Sequence, residues 1–200
     1  MRKSLIQDAK QQLSNISPDE TLAIRMYKTA AIITTLMDKL DDHPKKINKP
    51  IVVGGLSMEL YTSSKYTTND IDFITSASYE LNNILLELGF VRESRIYEYK
   101  ELGIACDIVG NVLESVESYE KLRKLDVENG TYFYVISPED IIIDRMLDFK
   151  YADNLRYCAI LTTNYFSSLD FDYIKRELKV DKEALSEFNL MVENIKNTNK

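Results

Sequence analysis

Apolar positions along the chain follow two rhythms, one of period 3.6 and one of period two, and they alternate in a way that mixes helices with strands. Ser17-Pro18-Asp19-Glu20 is a helix start by several rules: Ser17 as cap, Pro18 at the first helical position and Glu20 able to complete a capping box. A helix is expected from there to about Leu40, with a shorter one over Met1 to Leu13 before it. Asp41 to Lys49 reads as a polar loop containing Pro44. Ile51-Val52-Val53 is short, apolar and β-branched, hence a buried strand, and Gly54-Gly55 ends it. Ser57 is expected to open a helix over Met58 to Tyr61. Asp70-Ile71-Asp72-Phe73-Ile74 alternates as a strand does. Tyr79 to Leu88 has its apolar residues at 81, 84, 85 and 88, a helical stripe stopped by Gly89.

Arg95 to Lys100 and Leu102 to Val109 read as a hairpin or as neighbouring strands. Glu114 to Leu125 reads as a short charged helix, and Asn129-Gly130 as a turn before a Tyr- and Phe-rich strand, Thr131 to Ile136. Ser137-Pro138 repeats the helix-start device. A helical region follows, over Ile141 to about Thr163, Asp170 to Leu178 and Lys182 to Ile195, ending in a frayed tail from Lys196 to Lys200. The expected organisation is helices over residues 1–44, a core over 45–136 and a helical region over 137–200.

Candidate chemistry concentrates between Pro50 and Thr75. A period of two puts the Asp70 and Asp72 carboxylates on one face of their strand and Ile71 and Phe73 on the other. Two neighbouring carboxylates repel unless a cation lies between them, which makes this face a ligand set for a hard metal. A Gly-Gly after a strand is usually a plain turn, and an Asp-x-Asp pair is usually a solvated strand face. Their succession here, with a hydroxyl residue after the glycines and Thr68-Asn69 leading into the first aspartate, is much rarer by chance. Neither a dinucleotide-binding glycine fingerprint nor a Walker loop occurs in the chain.

Val53-Gly54-Gly55 with Ser57, followed by Asp70-Ile71-Asp72, resembles the signature of the nucleotidyltransferase superfamily, to which DNA polymerase β and kanamycin nucleotidyltransferase belong. The resemblance implies a third carboxylate on a later strand, and Asp107, flanked by apolar residues in Gly103 to Val109, fills that place. A second similarity, over Ser137 to Arg145, is to bacterial proteins related to the AbiEii toxins of abortive-infection systems. Together these cover about residues 45 to 180. They imply an α/β (α+β) fold with a small mixed sheet flanked by helices. They also imply an enzyme that moves a nucleoside monophosphate from a nucleoside triphosphate, ATP among them, to an acceptor hydroxyl. Asp70, Asp72 and Asp107 would be catalytic and would hold Mg²⁺ or Mn²⁺; Gly54, Gly55, Ser57 and Lys150 would bind the nucleotide. The acceptor is left open among tRNA, a protein and a small molecule, and a toxin role with an antitoxin partner is implied. The alternative is a non-catalytic nucleotide- or partner-binding module of the same fold.

Two hundred residues are enough for one sizeable core. With 25 basic and 32 acidic residues the net charge is −7, which disfavours a broad polyanion-binding surface while leaving room for a local basic groove. Lys45, Lys46 and Lys49 before the glycines, and Arg92, Arg95 and Lys100 before the Asp107 strand, are the basic residues nearest the candidate site in sequence. His43 is the single histidine and Cys106 and Cys158 lie far apart, so zinc clusters and Ser-His-Asp or Cys-His catalysis are disfavoured. The apolar run from Thr29 to Leu36 is too short to span a bilayer, no signal segment is recognised, and a cytoplasmic protein without a membrane partner is expected.

Overall fold

The computed structural model describes residues 1–40, 49–63, 65–111, 121–151 and 153–198. Seven strands pair into one mixed sheet: β1 Ile51–Val53, β2 Asp70–Ile74, β3 Val91–Glu93, β4 Ile96–Tyr99, β5 Ile104–Gly110, β6 Arg123–Asp126 and β7 Tyr132–Val135. Their spatial order is β3-β4-β5-β2-β1-β7-β6. β2 runs parallel to β5, and β1 parallel to β7, while the remaining neighbours are antiparallel. The helices are α1 Arg2–Ser14, α2 Leu22–Leu40, α3 Gly54–Thr62, α4 Ser78–Leu88, α5 Pro138–Leu147, α6 Asn154–Asn164, α7 Phe171–Glu177 and α8 Lys182–Thr198. The α+β class implied by the family resemblance is the one observed, a mixed sheet flanked by helices.

α2 explains the apolar run near residue 30. Every residue from Thr29 to Met37 is buried, because the helix packs on β7, β2 and β5 with one side and beneath α1 and α4 with the other. A helix apolar all round is a core helix when it lies inside a fold. No helix of the described residues is long and apolar enough to cross a membrane. On the sheet, Ile71, Phe73 and Cys106 are fully buried, and Phe133 and Val135 nearly or fully so. Full burial pushes the Cys106 thiol well above its ordinary range. α5 to α8 pack on one another and meet the sheet through α3.

Several expected boundaries move. Ser17-Pro18 forms a turn, in which Ser17 Oγ accepts from the Asp19 amide at 3.3 Å. α2 begins four residues later, with Thr21 Oγ1 accepting from the Ile24 amide at 3.4 Å, and Glu20 is drawn to Lys28 Nζ at 2.7 Å instead of closing a capping box. α3 starts at Gly54, so Ser57 lies inside its first turn and does not open it. Residues 123–126, expected as the end of a charged helix, are strand β6, because Asn129 and Gly130, both at positive φ, turn the chain back to pair it with β7. Glu114 to Glu120, like Asp41 to Asn48 with Pro44 and His43, lie outside the described residues. The run from Ile141 breaks after Leu147, where the Asn154 side-chain amide caps the Asp148 carbonyl at 2.9 Å. α8 carries on through Thr198, where a frayed tail was expected. Ser137 behaves as predicted, accepting from the Asp140 amide at 3.1 Å with Pro138 next in line.

Candidate active site

The centre of the sheet brings together what the sequence separates. β1 delivers the chain to Gly54, which turns it into α3 at φ +60°, a conformation that penalises any side chain. The same glycine is demanded a second time by space: a Cβ there would overlap Asp72 Oδ2. β1 and β2 are antiparallel with Val53 opposite Asp72, so the glycine turn and the carboxylate are held against each other by the sheet itself. Gly55 has no unusual φ; its need is steric, since a Cβ would stand 2.7 Å from Thr68 Cβ. The side chain most directly excluded at the turn is therefore one at Gly54, against a carboxylate, whereas a side chain at Gly55 would press on the loop that precedes β2.

Asp70 and Asp72 are half-buried on one face of β2, with Ile71 and Phe73 fully buried on the other. In the parallel pairing of β2 with β5, Asp72 is the register partner of Asp107. Register partners on parallel strands point to the same face, and neighbouring strands lie about 4.8 Å apart, so all three aspartates share one side of the sheet. The Asp107 side chain is only 6% exposed, and its Oδ2 lies 3.1 Å from Arg95 Nε. Among the described residues, no three His, Cys, Asp or Glu side chains are gathered closely enough to clasp an ion.

Each carboxylate has its own support. Thr68 Oγ1 donates to Asp70 Oδ1 at 2.8 Å, and the Thr68 amide is fixed by Glu59 Oε2 at 3.2 Å. The Gly55 amide, at the N-terminal end of α3, donates to the Asp72 carboxylate. Even so, the Asp72 carboxyl is pushed up to about 6, first by burial and then by Asp70, with Asp107 adding to it; the Gly55 amide and the Arg145 guanidinium pull the other way. A carboxylate held up first by burial and then by anionic neighbours would be relieved by a nearby cation. Hard carboxylate oxygens are the donor type that Mg²⁺ and Mn²⁺ take, and Asp70 and Asp72 supply them beside the Gly54 turn.

Of the residues expected to bind nucleotide, Gly54 and Gly55 border the aspartates. Ser57 sits beneath them, fully buried, with its hydroxyl donating to the Gly54 carbonyl at 2.7 Å. It therefore shapes the glycine turn from inside. Lys150 is on an exposed turn beyond α5, ion-paired with Glu183 of α8 at 2.7 Å. A cation whose field reaches Asp72 is Arg145 on α5, one-quarter exposed and only loosely engaged by Asn154 Oδ1 at 3.5 Å and Asp144 Oδ2 at 3.9 Å. Sequence reasoning passed over Arg145 although it closes the Ser137 to Arg145 segment, because nothing local says which face of α5 looks back at the sheet. Thr68 was visible only as part of the Thr-Asn approach to β2. Lys49 is paired with Asp38 at 2.9 Å, away from this role.

No curated protein and no solved structure matches the chain. A family match covers residues 28–196, which takes in α2 from Lys28 onward, the whole sheet with its three aspartates, and α3 to α8 nearly to their end. A glycine turn against paired aspartates, in a fold matched over that span, leads to one assignment: the chain belongs to DUF6036, a family described as a nucleotidyltransferase of unknown function.

Proposed function

We propose that this protein transfers a nucleoside monophosphate from a nucleoside triphosphate to an acceptor hydroxyl, using divalent cations held by Asp70, Asp72 and Asp107. The observation that carries the reading is the shared face of Asp70, Asp72 and Asp107 beside the Gly54 turn. Mg²⁺ or Mn²⁺, when bound there, would offset the triphosphate charge and draw off charge as it builds on the leaving group. In the reaction the acceptor oxygen bonds to the α-phosphorus, the bond between that phosphorus and the β-bridging oxygen breaks, and pyrophosphate leaves with its electron pair. Phosphoryl transfer depends on positioning and charge neutralisation, and each protein group has a part in these.

Asp70 is oriented by the Thr68 hydroxyl and Asp72 by the Gly55 amide, so both reach the reaction zone with little left to reorganise. Gly54 keeps the backbone low enough for phosphate oxygens to approach, with the start of α3 beside them. Asp107 takes the proton from the acceptor hydroxyl. Arg145 is the positive side chain that faces the incoming phosphates. The acceptor class is tRNA, protein or small molecule, and net charge argues for contact through a local groove.

Calorimetric titration of ATP, GTP, CTP and UTP, with and without Mg²⁺, tests the reading, followed by label transfer from the bound triphosphate into the RNA, protein and small-molecule fractions of a cell extract. Cation-dependent binding with transfer is expected. Equal affinity with and without Mg²⁺ would remove the metal-dependent reading; cation-dependent binding without transfer would leave a nucleotide-binding module.

A further inference from the structure

Arg95 is the residue next to the site that none of this chemistry uses. It sits on the turn between β3 and β4, after Ser94 at φ +61°, and its side chain is 81% exposed. Yet its Nε is 3.1 Å from Oδ2 of a carboxylate that is 6% exposed. An arginine fully at ease in water has little to gain from leaning on the sheet, whereas Asp107, sharing a face with two other aspartates, gains a counter-charge. Its neighbours on the hairpin are otherwise engaged: Arg92 Nε donates to the Ser94 carbonyl at 2.8 Å and its guanidinium lies 5.5 Å from the Tyr97 ring, while Lys100 faces Glu93 at 3.9 Å. Among the described residues, Arg95 is the cation paired with Asp107.

We propose that Arg95 is a positioning residue that competes with the divalent cation for Asp107: its guanidinium holds the carboxylate until metal loading displaces it. The inference rests on the proposed reading of the site. A guanidinium against the carboxylate offsets the charge that would hold a divalent cation and repels that cation, so the two compete for Asp107 even though the carboxylate has a second oxygen. Because the guanidinium end lies in solvent on a hairpin turn, displacement requires no rearrangement of the sheet. Removing it therefore makes the metal bind more tightly, the reverse of what loss of a structural contact would do.

The test is Mn²⁺ binding without nucleotide, read by electron paramagnetic resonance of the free ion, on the wild type, Arg95→Gln and Arg92→Gln. Arg92→Gln removes the same charge from the same hairpin without touching Asp107. A pair with its arginine in solvent and its carboxylate buried couples by a factor of roughly five, so Arg95→Gln is expected to tighten Mn²⁺ by about fivefold, with Arg92→Gln unchanged. In an Asp107→Asn background the Arg95→Gln effect should vanish. Unchanged or weaker binding in Arg95→Gln, or equal tightening in Arg92→Gln, would overturn the inference while leaving the metal-dependent reading in place. Absence of Mn²⁺ binding in both the wild type and Arg95→Gln would sink the two together.

Discussion

Replacing Asp72 with asparagine should make the metal-free protein more stable while stripping it of its cation site. The Asp72 carboxyl titrates near 6 in the folded chain against an ordinary 3.8, a difference of about 2 units. At about 1.4 kcal/mol per unit, ionising it in the fold costs up to ~3 kcal/mol, and partial solvent access brings the expectation down to about 1–3 kcal/mol. Asparagine keeps the shape and can still accept from the Gly55 amide through its Oδ1, so it removes the charge and little else. The sign follows from proton binding. Between about 4 and 6 the folded state holds the proton more tightly than the unfolded state, so stability falls as pH rises through that window and stays at the lower level above it. The gain from Asp72→Asn is therefore near zero at pH 4 and complete at pH 7.5. For a chain of this size it corresponds to roughly 2–10 °C in Tm. Thermal and urea unfolding in EDTA at both pH values measure it. No gain at pH 7.5, or the same gain at both, would refute the electrostatic account of the site.

Mg²⁺ should raise the Tm of the wild type at pH 7.5 and leave Asp72→Asn where it was, read by the same melts with and without the ion. Gly54→Ala forces a left-handed backbone on a residue with a Cβ and drives that Cβ into Asp72, so a loss of at least about 1–2 kcal/mol is expected by urea unfolding, together with weaker Mg²⁺ binding. Tyr173→Phe removes the hydroxyl that donates to the buried Asp140 Oδ1 at 2.8 Å and should cost about 1–3 kcal/mol in the same assay, with nucleotide affinity unchanged. Arg145→Gln should weaken Mg²⁺-triphosphate binding by about tenfold, as expected for loss of one charge-assisted contact, while Lys150→Gln changes it less than about twofold; calorimetry on the pair separates the two cations.

How much of this could be read from the chain depended on whether a feature was local. The strand at Ile51, the alternation through Asp70 to Ile74, the Ser137 cap and the stripe of α4 are each decided by neighbours within a turn or two, and all of them appear in the fold. So does the shared face of Asp70 and Asp72, which follows from strand period alone. The pairing of Asp72 with Asp107 could be anticipated only by resemblance, because register between parallel strands is set by everything that lies between them. Arg145 and Thr68 were illegible for the same reason: a helix face or a loop crossing has no local signature. Lys150 shows the converse, a basic residue just beyond α5 whose side chain is engaged by Glu183 of α8, which no reading of residues 137 to 150 could supply. β6 was misread because its charged sequence suits a solvated helix as well as an exposed sheet edge, and the turn at Asn129-Gly130 decides between them.

The order in which the strands are strung also bears on how the chain is made. β3 and β4 fall between β2 and β5 in sequence, yet in space they lie outboard of β5. The hairpin carrying Arg95 precedes Asp107 in the chain, so β5 can form its antiparallel pairing with β4 without waiting on β2. On a route that forms β4–β5 before β5 docks on β2, the last carboxylate would reach its two anionic neighbours with Arg95 beside it, which would offset the mutual repulsion opposing closure of the sheet.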